Sequence, residues 1–113
     1  MSLFGRLKEK WVPKDENSKA FRRQMAEKIS GKLIRYTTER RDNAETVIGH
    51  DGNISLRNGQ IIVLSGGEIV LRANVDDLRA SELLSHDGVI LTAPDLEHGG
   101  EERTIVAYYL YFR

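Results

Sequence analysis

Three glycine-bearing dipeptides between residues 46 and 74 constrain this chain more than any other feature of its sequence. Asp51-Gly52, Asn58-Gly59 and Gly66-Gly67 each lie between two short apolar runs. Such pairs readily adopt the positive φ values that two-residue turns between antiparallel strands need. The sequence therefore predicts consecutive β-hairpins over 46–74, which form an antiparallel meander with its register set locally.

Segments with the residue types typical of β-strands also lie on either side of this meander. Lys32–Glu39 is rich in β-branched and aromatic residues, and Val89–Ala93 and Thr104–Phe112 are similar. With roughly seven strands in 32–113, we expect a mainly β fold (α+β by count) that forms a small barrel or sandwich. The connections are expected to be a polar loop over Arg40–Glu45, a loop or short helix over Val75–Ser85, and a flexible acidic segment over Pro94–Glu102.

A helical period precedes the strands. Phe21, Met25 and Ile29 recur four residues apart, and Gly31 suits the left-handed position that ends many helices. We therefore expect a helix over about 15–30 that packs on the sheet through this stripe. Residues 13–113 are expected to form a single globular domain, preceded by a basic amphipathic peptide over 1–12.

The composition narrows the classes of protein to which this chain can belong. It has no cysteine, which excludes disulfide bonds and thiolate ligands. No apolar run approaches the roughly 18 residues of a membrane-spanning helix, and no signal-peptide core is visible. A cytoplasmic location is expected, with a peripheral position on a membrane as the alternative.

Charge is divided unequally along the chain, although its formal net charge is zero. Residues 1–41 hold 12 Lys and Arg against 5 Asp and Glu, and residues 42–113 hold the reverse. Halves of opposite charge attract each other, within one molecule or between two. The basic helix is therefore expected to lie against the acidic sheet of its own chain. A second copy or an external anionic surface is the alternative.

No group of residues forms a recognisable catalytic motif. The serines and histidines that would supply a nucleophile and its base lack a Gly-x-Ser-x-Gly turn and metal-ligand spacing. His-Asp-Gly occurs at His50–Gly52 and again at His86–Gly88, where Asp-Gly favours a turn. We expect no enzyme, no cofactor and no metal. The residues considered for these roles are Ser65, Ser81, Ser85, His50, His86 and His98.

The N-terminal peptide has the pattern of a docking segment. Leu3, Phe4, Leu7 and Trp11 fall on one face of a helix, with Arg and Lys side chains around the rest. Over residues 1–11 the peptide resembles the amphipathic starts of some bacterial peripheral proteins, such as the signal-recognition-particle receptor. The resemblance implies reversible docking on an anionic membrane surface. The residues themselves favour packing of this apolar face on the domain itself or on a neighbouring subunit, and reversible docking on a membrane or a partner is the alternative.

The last predicted strand is apolar on both faces, which is typical of a strand covered on both sides or placed at a subunit contact. Tyr108, Leu110 and Phe112 are therefore predicted to contact a protein partner or a second copy. A basic surface for nucleic acid is an alternative, which the acidic strands and the lack of an Sm-like or OB motif disfavour. Its arginines would be Arg22, Arg23 and Arg35.

Together these observations favour a small non-enzymatic interaction or structural module that forms homo-oligomers or binds a protein partner. Peripheral docking on a membrane through residues 1–11 is the first alternative, and nucleic-acid binding is the second.

Overall fold

The computed structural model describes residues 18–110, which are mostly β. One α-helix precedes seven strands, and a 3-10 turn links the fourth strand to the fifth. The mainly β prediction with a preceding helix is thus confirmed. The helix is α1 (Lys19–Ile29), the strands are β1 (Leu33–Arg41), β2 (Ala44–Arg57), β3 (Gln60–Ser65), β4 (Glu68–Asn74), β5 (Arg79–Glu82), β6 (Gly88–Pro94) and β7 (Glu102–Tyr109), and the 3-10 turn is Val75–Asp77.

All seven strands belong to one antiparallel sheet in the order β4-β3-β2-β1-β7-β6-β5. Successive strands are neighbours in the sheet, except that β7 returns to pair with the central strand β1 and β4 does not pair with β5. Within residues 18–110, β4 and β5 are therefore the two edges. The expected barrel or sandwich is corrected to a single open sheet, because closure would need a β4–β5 ladder.

Two of the three predicted glycine turns form hairpins. Asn58-Gly59 joins β2 to β3 and Gly66-Gly67 joins β3 to β4, with positive φ at all four residues. The prediction was wrong for Asp51-Gly52, which lies inside the 14-residue strand β2, where Asp51 has a φ of 57°. Gly52 is required by a close approach, because an ideal Cβ on it would lie 1.7 Å from the carbonyl oxygen of Leu64.

The three predicted connections are more regular than expected. The polar loop over Arg40–Glu45 is a two-residue turn at Asp42-Asn43, where both residues have positive φ, and β1 and β2 pair right up to it. Val75–Ser85 contains the 3-10 turn and β5. The segment Pro94–Glu102 is not a loose loop, because Asp95 within it is completely buried.

The helix covers the face of the sheet that carries the core. The Ser18 side chain caps it by accepting a hydrogen bond of 3.1 Å from the Phe21 backbone N–H. Ala26 and Ile29 are fully buried, whereas Phe21 and Met25 are half-buried, so the predicted stripe packs mainly through its C-terminal half. The predicted start near residue 15 lies outside the described residues. The largest buried apolar side chains of the sheet are Ile34, Ile54, Ile61, Leu71, Leu91 and Ile105.

Gly52→Ala tests the close approach of β3 to β2. We expect it to lower the free energy of unfolding by about 3 kcal/mol, because the added Cβ must displace the backbone of Leu64. Gly67→Ala is the matched control, because its Cβ would enter open space and only the positive φ opposes it, at about 1 kcal/mol. Urea unfolding of both variants measures the difference, and equal midpoints would contradict it.

Candidate functional site

The serines and histidines considered as catalytic groups lie on separate elements. Ser65 is 2% exposed on β3, where an ideal Cβ on Gly49 would lie 2.5 Å from its Oγ, so no substrate reaches this hydroxyl. Ser81 and Ser85 are exposed. His50 lies on β2, His86 in the turn before β6, and His98 in the connection before β7. In the part of the chain that the structure describes, no three His, Asp or Glu side chains are grouped as metal ligands.

The most concentrated charges surround Asp95, just after β6. Its Oδ2 atom lies 2.5 Å from Arg103 Nη1 and 2.6 Å from His98 Nδ1. Its Oδ1 atom accepts hydrogen bonds from the backbone N–H groups of Arg72 and Glu97, at 3.2 and 3.0 Å. Burial alone would raise the pKa of Asp95, but these hydrogen bonds from Arg103, His98 and the backbone hold it below its usual value. Asp95 is thus a buried carboxylate that stays ionised.

Arg103 links this carboxylate to the central strand. Its guanidinium donates two hydrogen bonds of 3.1 Å to the carboxylate of Glu39 on β1 and one of 2.8 Å to the carbonyl of Val70 on β4. The pKa of Glu39 is lowered, first by the hydrogen bond from Arg103, and that of Arg103 is raised by the same pairing. Side-chain exposure is 16% for Arg103 and 18% for Glu39, so solvent screens the pair weakly.

These contacts occupy the unpaired edge of β4. Arg72 donates its backbone N–H to Asp95, and its carbonyl accepts a hydrogen bond of 2.7 Å from the backbone N–H of Leu96. The Val70 carbonyl on the same edge is bonded to Arg103. The connection between β6 and β7 therefore supplies hydrogen-bond partners to the β4 backbone, as a neighbouring strand would. It also covers the gap in the open sheet.

A groove of about 330 Å³ lies beside this cluster, and His98 is half-exposed at its rim. A buried carboxylate that fixes an imidazole is also how general bases are oriented in enzymes. No Ser, Thr or Tyr hydroxyl lines the groove in residues 18–110, so the imidazole faces no protein nucleophile there. The hydrogen bonds of this cluster to the backbone of β4 give it a stabilising role in the sheet. The lining residues are Glu39, Arg41, Ile48, Glu68, Ile69, Val70, His98, Glu101 and Arg103.

A pair of stacked tyrosines lies on the neighbouring strands β1 and β7. The rings of Tyr36 and Tyr108 lie 4.5 Å apart, and the Tyr108 hydroxyl donates a hydrogen bond of 2.6 Å to Glu45. Glu45 also accepts one of 2.6 Å from Thr38, and these two bonds lower its pKa. The same Glu45 carboxylate raises the pKa of Tyr108 to about 12. Tyr108, predicted to contact a partner, is thus half-buried and already bonded within the chain.

Three exposed leucines lie at one end of the sheet. Leu33 begins β1 and is 42% exposed, Leu110 follows β7 and is 36% exposed, and Leu84 in the turn between β5 and β6 is 99% exposed. The backbone N–H of Leu110 donates to the carbonyl of Leu33 at 2.9 Å. The backbone N–H of Tyr109 donates to the carbonyl of Asp87, in the turn between β5 and β6, at 2.8 Å. We call Leu33, Leu84 and Leu110 the leucine end.

The basic residues of α1 are paired with the acidic half of the chain, as expected. Asp76 accepts from Arg22 through its carbonyl and lies 3.3 Å from Arg23 through its carboxylate. Lys28 lies 2.9 Å from Glu82. Arg35, the third arginine predicted for nucleic acid, lies instead on β1 with its guanidinium 5.4 Å from the ring centre of Tyr36. The structure therefore does not bring the three arginines into one basic cluster.

Several predicted docking residues lie outside the described residues, namely Leu3, Phe4, Leu7, Trp11 and Phe112. Sequence reasoning missed Asp95, Arg103 and Glu39, because an Asp after a Pro in an acidic stretch is typical of a solvated loop. Within residues 18–110, no helix has the length and apolar character to cross a membrane.

Comparison with protein-family models, with curated proteins and with solved structures found no match for this chain.

Asp95→Asn tests the buried cluster. We expect the free energy of unfolding near neutral pH to fall by about 3 kcal/mol, because Arg103 loses a buried partner. The pKa of Asp95 is lowered in the folded state, so its contribution is present above about pH 4 and is lost as the pH falls further. Denaturant unfolding at several pH values should show the two proteins converging in acid. Glu97→Gln, at a half-exposed surface pair, should cost less than about 1 kcal/mol.

Glu45→Gln tests the bond to Tyr108. The pKa of Tyr108 should fall from about 12 towards the ordinary tyrosine value of about 10, because the carboxylate that opposes the phenolate is gone. A raised folded pKa also means that stability from this bond persists below about pH 10 and is lost as the pH rises towards 12. Ring carbon shifts in an alkaline NMR titration report the pKa. An unchanged titration in the variant would refute the assignment.

Proposed function

We propose that this chain is a non-enzymatic interaction module that self-associates through the leucine end. The observation that supports this most directly is the position of Leu84, which is 99% exposed in a tight turn at the same end of the sheet as two further exposed leucines. Contacts within the described part of its own chain give this side chain almost no cover. An apolar side chain of this kind gains free energy when a second surface covers it.

The size of that gain is enough to change the affinity of a self-association measurably. Full burial of a leucine side chain stabilises by about 1.5–3 kcal/mol, and each 1.4 kcal/mol changes a dissociation constant by about tenfold. Leu33 and Leu110 are each already about three-fifths covered within the chain, so Leu84 has the most to gain. It is therefore the first residue to test.

Charge supports an apolar contact rather than an ionic one. Asp76 and Glu82 pair with Lys19, Arg23 and Lys28 of α1 within one molecule, so these charges are less available to a second copy. Exposed ion pairs are also screened at physiological salt. Self-association through the leucine end should accordingly depend little on ionic strength.

The two alternatives stay predictions from the sequence. Peripheral docking on a membrane rests on residues 1–11, which lie outside the described residues. Nucleic-acid binding rests on Arg22, Arg23 and Arg35. Arg22 and Arg23 contact Asp76 within the chain. Neither gains a supporting observation from residues 18–110, and the leucine end is therefore the basis of the proposal.

Leu84→Ser measures the contribution of the leucine end. If two copies associate through the leucine end, we expect this substitution to raise the dissociation constant of the dimer at least about tenfold, because the leucine side chain is no longer buried in the contact. Sedimentation velocity measures the change. Folding should be unaffected, because the side chain is almost fully exposed. Leu84→Ser combined with Leu110→Ser should give a monomer.

Val47→Ser is the matched control, because Val47 is 51% exposed on β2, away from the leucine end. It should leave the dimer unchanged. A wild-type chain that stays monomeric at tens of micromolar, or an equal effect of Val47→Ser, would refute the proposal.

A further inference from the structure

A groove of about 430 Å³ lies at the edge strand β5 and along the outer side of β6 and β7. Ile90 and Thr92 line it, while Leu91 between them points into the core, so the groove is on the side of these strands opposite to the core. Phe21, in the first turn of α1, lines it as well. The full lining is Phe21, Arg79, Ala80, Ser81, Ile90, Thr92, Glu102 and Thr104.

The polar groups of this groove already bond to one another. The hydroxyls of Thr92 and Thr104 lie 3.1 Å apart, and Arg79 forms an ion pair of 3.1 Å with Glu102 across β6. Two half-buried apolar side chains of the lining, Phe21 and Ile90, are left partly exposed. An apolar occupant would therefore gain free energy by covering these two side chains.

The chain itself leads to this groove. Ser18 caps α1 and bonds to the backbone N–H of Phe21, so residues 1–17 join the fold within one helical turn of the groove. Trp11 is separated from Ser18 by a stretch that spans up to about 23 Å when extended, at about 3.3 Å per residue. The sequence places Leu3, Phe4 and Leu7 on the same apolar face as Trp11.

We propose that the groove binds the N-terminal segment of its own chain, with Trp11 as the main apolar anchor. A tethered segment meets its site at an effective concentration in the millimolar range, well above the concentration of a second copy in a micromolar solution. A tryptophan side chain buries about 150–250 Å² and is the largest apolar group that the segment offers. While it is bound, the same apolar face is withheld from a membrane or a partner.

Trp11 is the only tryptophan of the chain, so its fluorescence reports this contact directly. In the full chain we expect its emission to be blue-shifted and its quenching by acrylamide to be at least about threefold weaker than in the urea-unfolded chain. Both signals should be the same from about 1 to about 100 µM protein, because the contact is intramolecular.

Ser81→Arg places a long charged side chain in the groove at an exposed position, and it should restore full quenching of Trp11. Ser30→Arg is the matched control, because it adds the same charge at an exposed serine beyond α1, outside the lining of the groove. Circular dichroism confirms that both variants fold. In the full chain, Trp11→Ala should shift the backbone amide resonances of Ile90 and Thr104, and leave those of Val47 and Gly59 unchanged.

Three results would overturn the proposal. Trp11 that is quenched equally in the folded and unfolded chain would show that nothing covers it. Shielding that appears only as protein concentration rises would assign the groove or Trp11 to a second copy. Shielding that appears only with vesicles of anionic lipid would assign the segment to a membrane. None of these results depends on the leucine end, so this proposal and that of self-association can fail separately.

Discussion

Arg103 holds Glu39 on the central strand and Asp95 beyond the end of β6, and it also holds the edge of β4 through the carbonyl of Val70. The sheet depends on this contact because its edges do not pair with each other, so the gap beside β4 has to be filled by other polar groups. Burying charges is costly, and a buried ion pair adds little net stability by itself. Its effect is to select one arrangement: only with the β6–β7 connection in place are Asp95, Arg103 and the β4 backbone all satisfied.

The other end of the gap is covered by α1 and the 3-10 turn, through the pairing of Asp76 with Arg22 and Arg23. Charges thus border the core at two places, and apolar contacts fill the space between them. The surfaces that remain available for external contacts differ from these charged clusters. The leucine end exposes apolar side chains on β1, after β7 and in the turn between β5 and β6, whereas the groove at β5 is lined by polar as well as apolar side chains.

Local signals in the sequence predicted local structure well. Asn58-Gly59 and Gly66-Gly67 form hairpins because both strands of each hairpin adjoin the turn, so a dipeptide carries the necessary information. Asp51-Gly52 has the same composition but serves a contact with Leu64 on another strand, which no dipeptide specifies. The Asp95 cluster is further from prediction, because Glu39 and Arg103 are separated by most of the domain and neither follows a periodic pattern. The exposure of Leu84 depends on where the turn between β5 and β6 points, which the residues of that turn do not specify by themselves.

The position of β7 has a consequence for how this chain reaches its fold during synthesis. Of the seven described strands, β7 leaves the ribosome after the other six, and it lies between β1 and β6, pairing Thr37 with Ala107 and Leu91 with Ile105. Until it emerges, β1 has an open edge and the β5–β6 hairpin has nothing to join. Nascent chains with open strand edges are prone to aggregate. Strands β1–β4 must therefore wait for β7 before the sheet is complete, and loss of β7 would divide the sheet into two separate pieces.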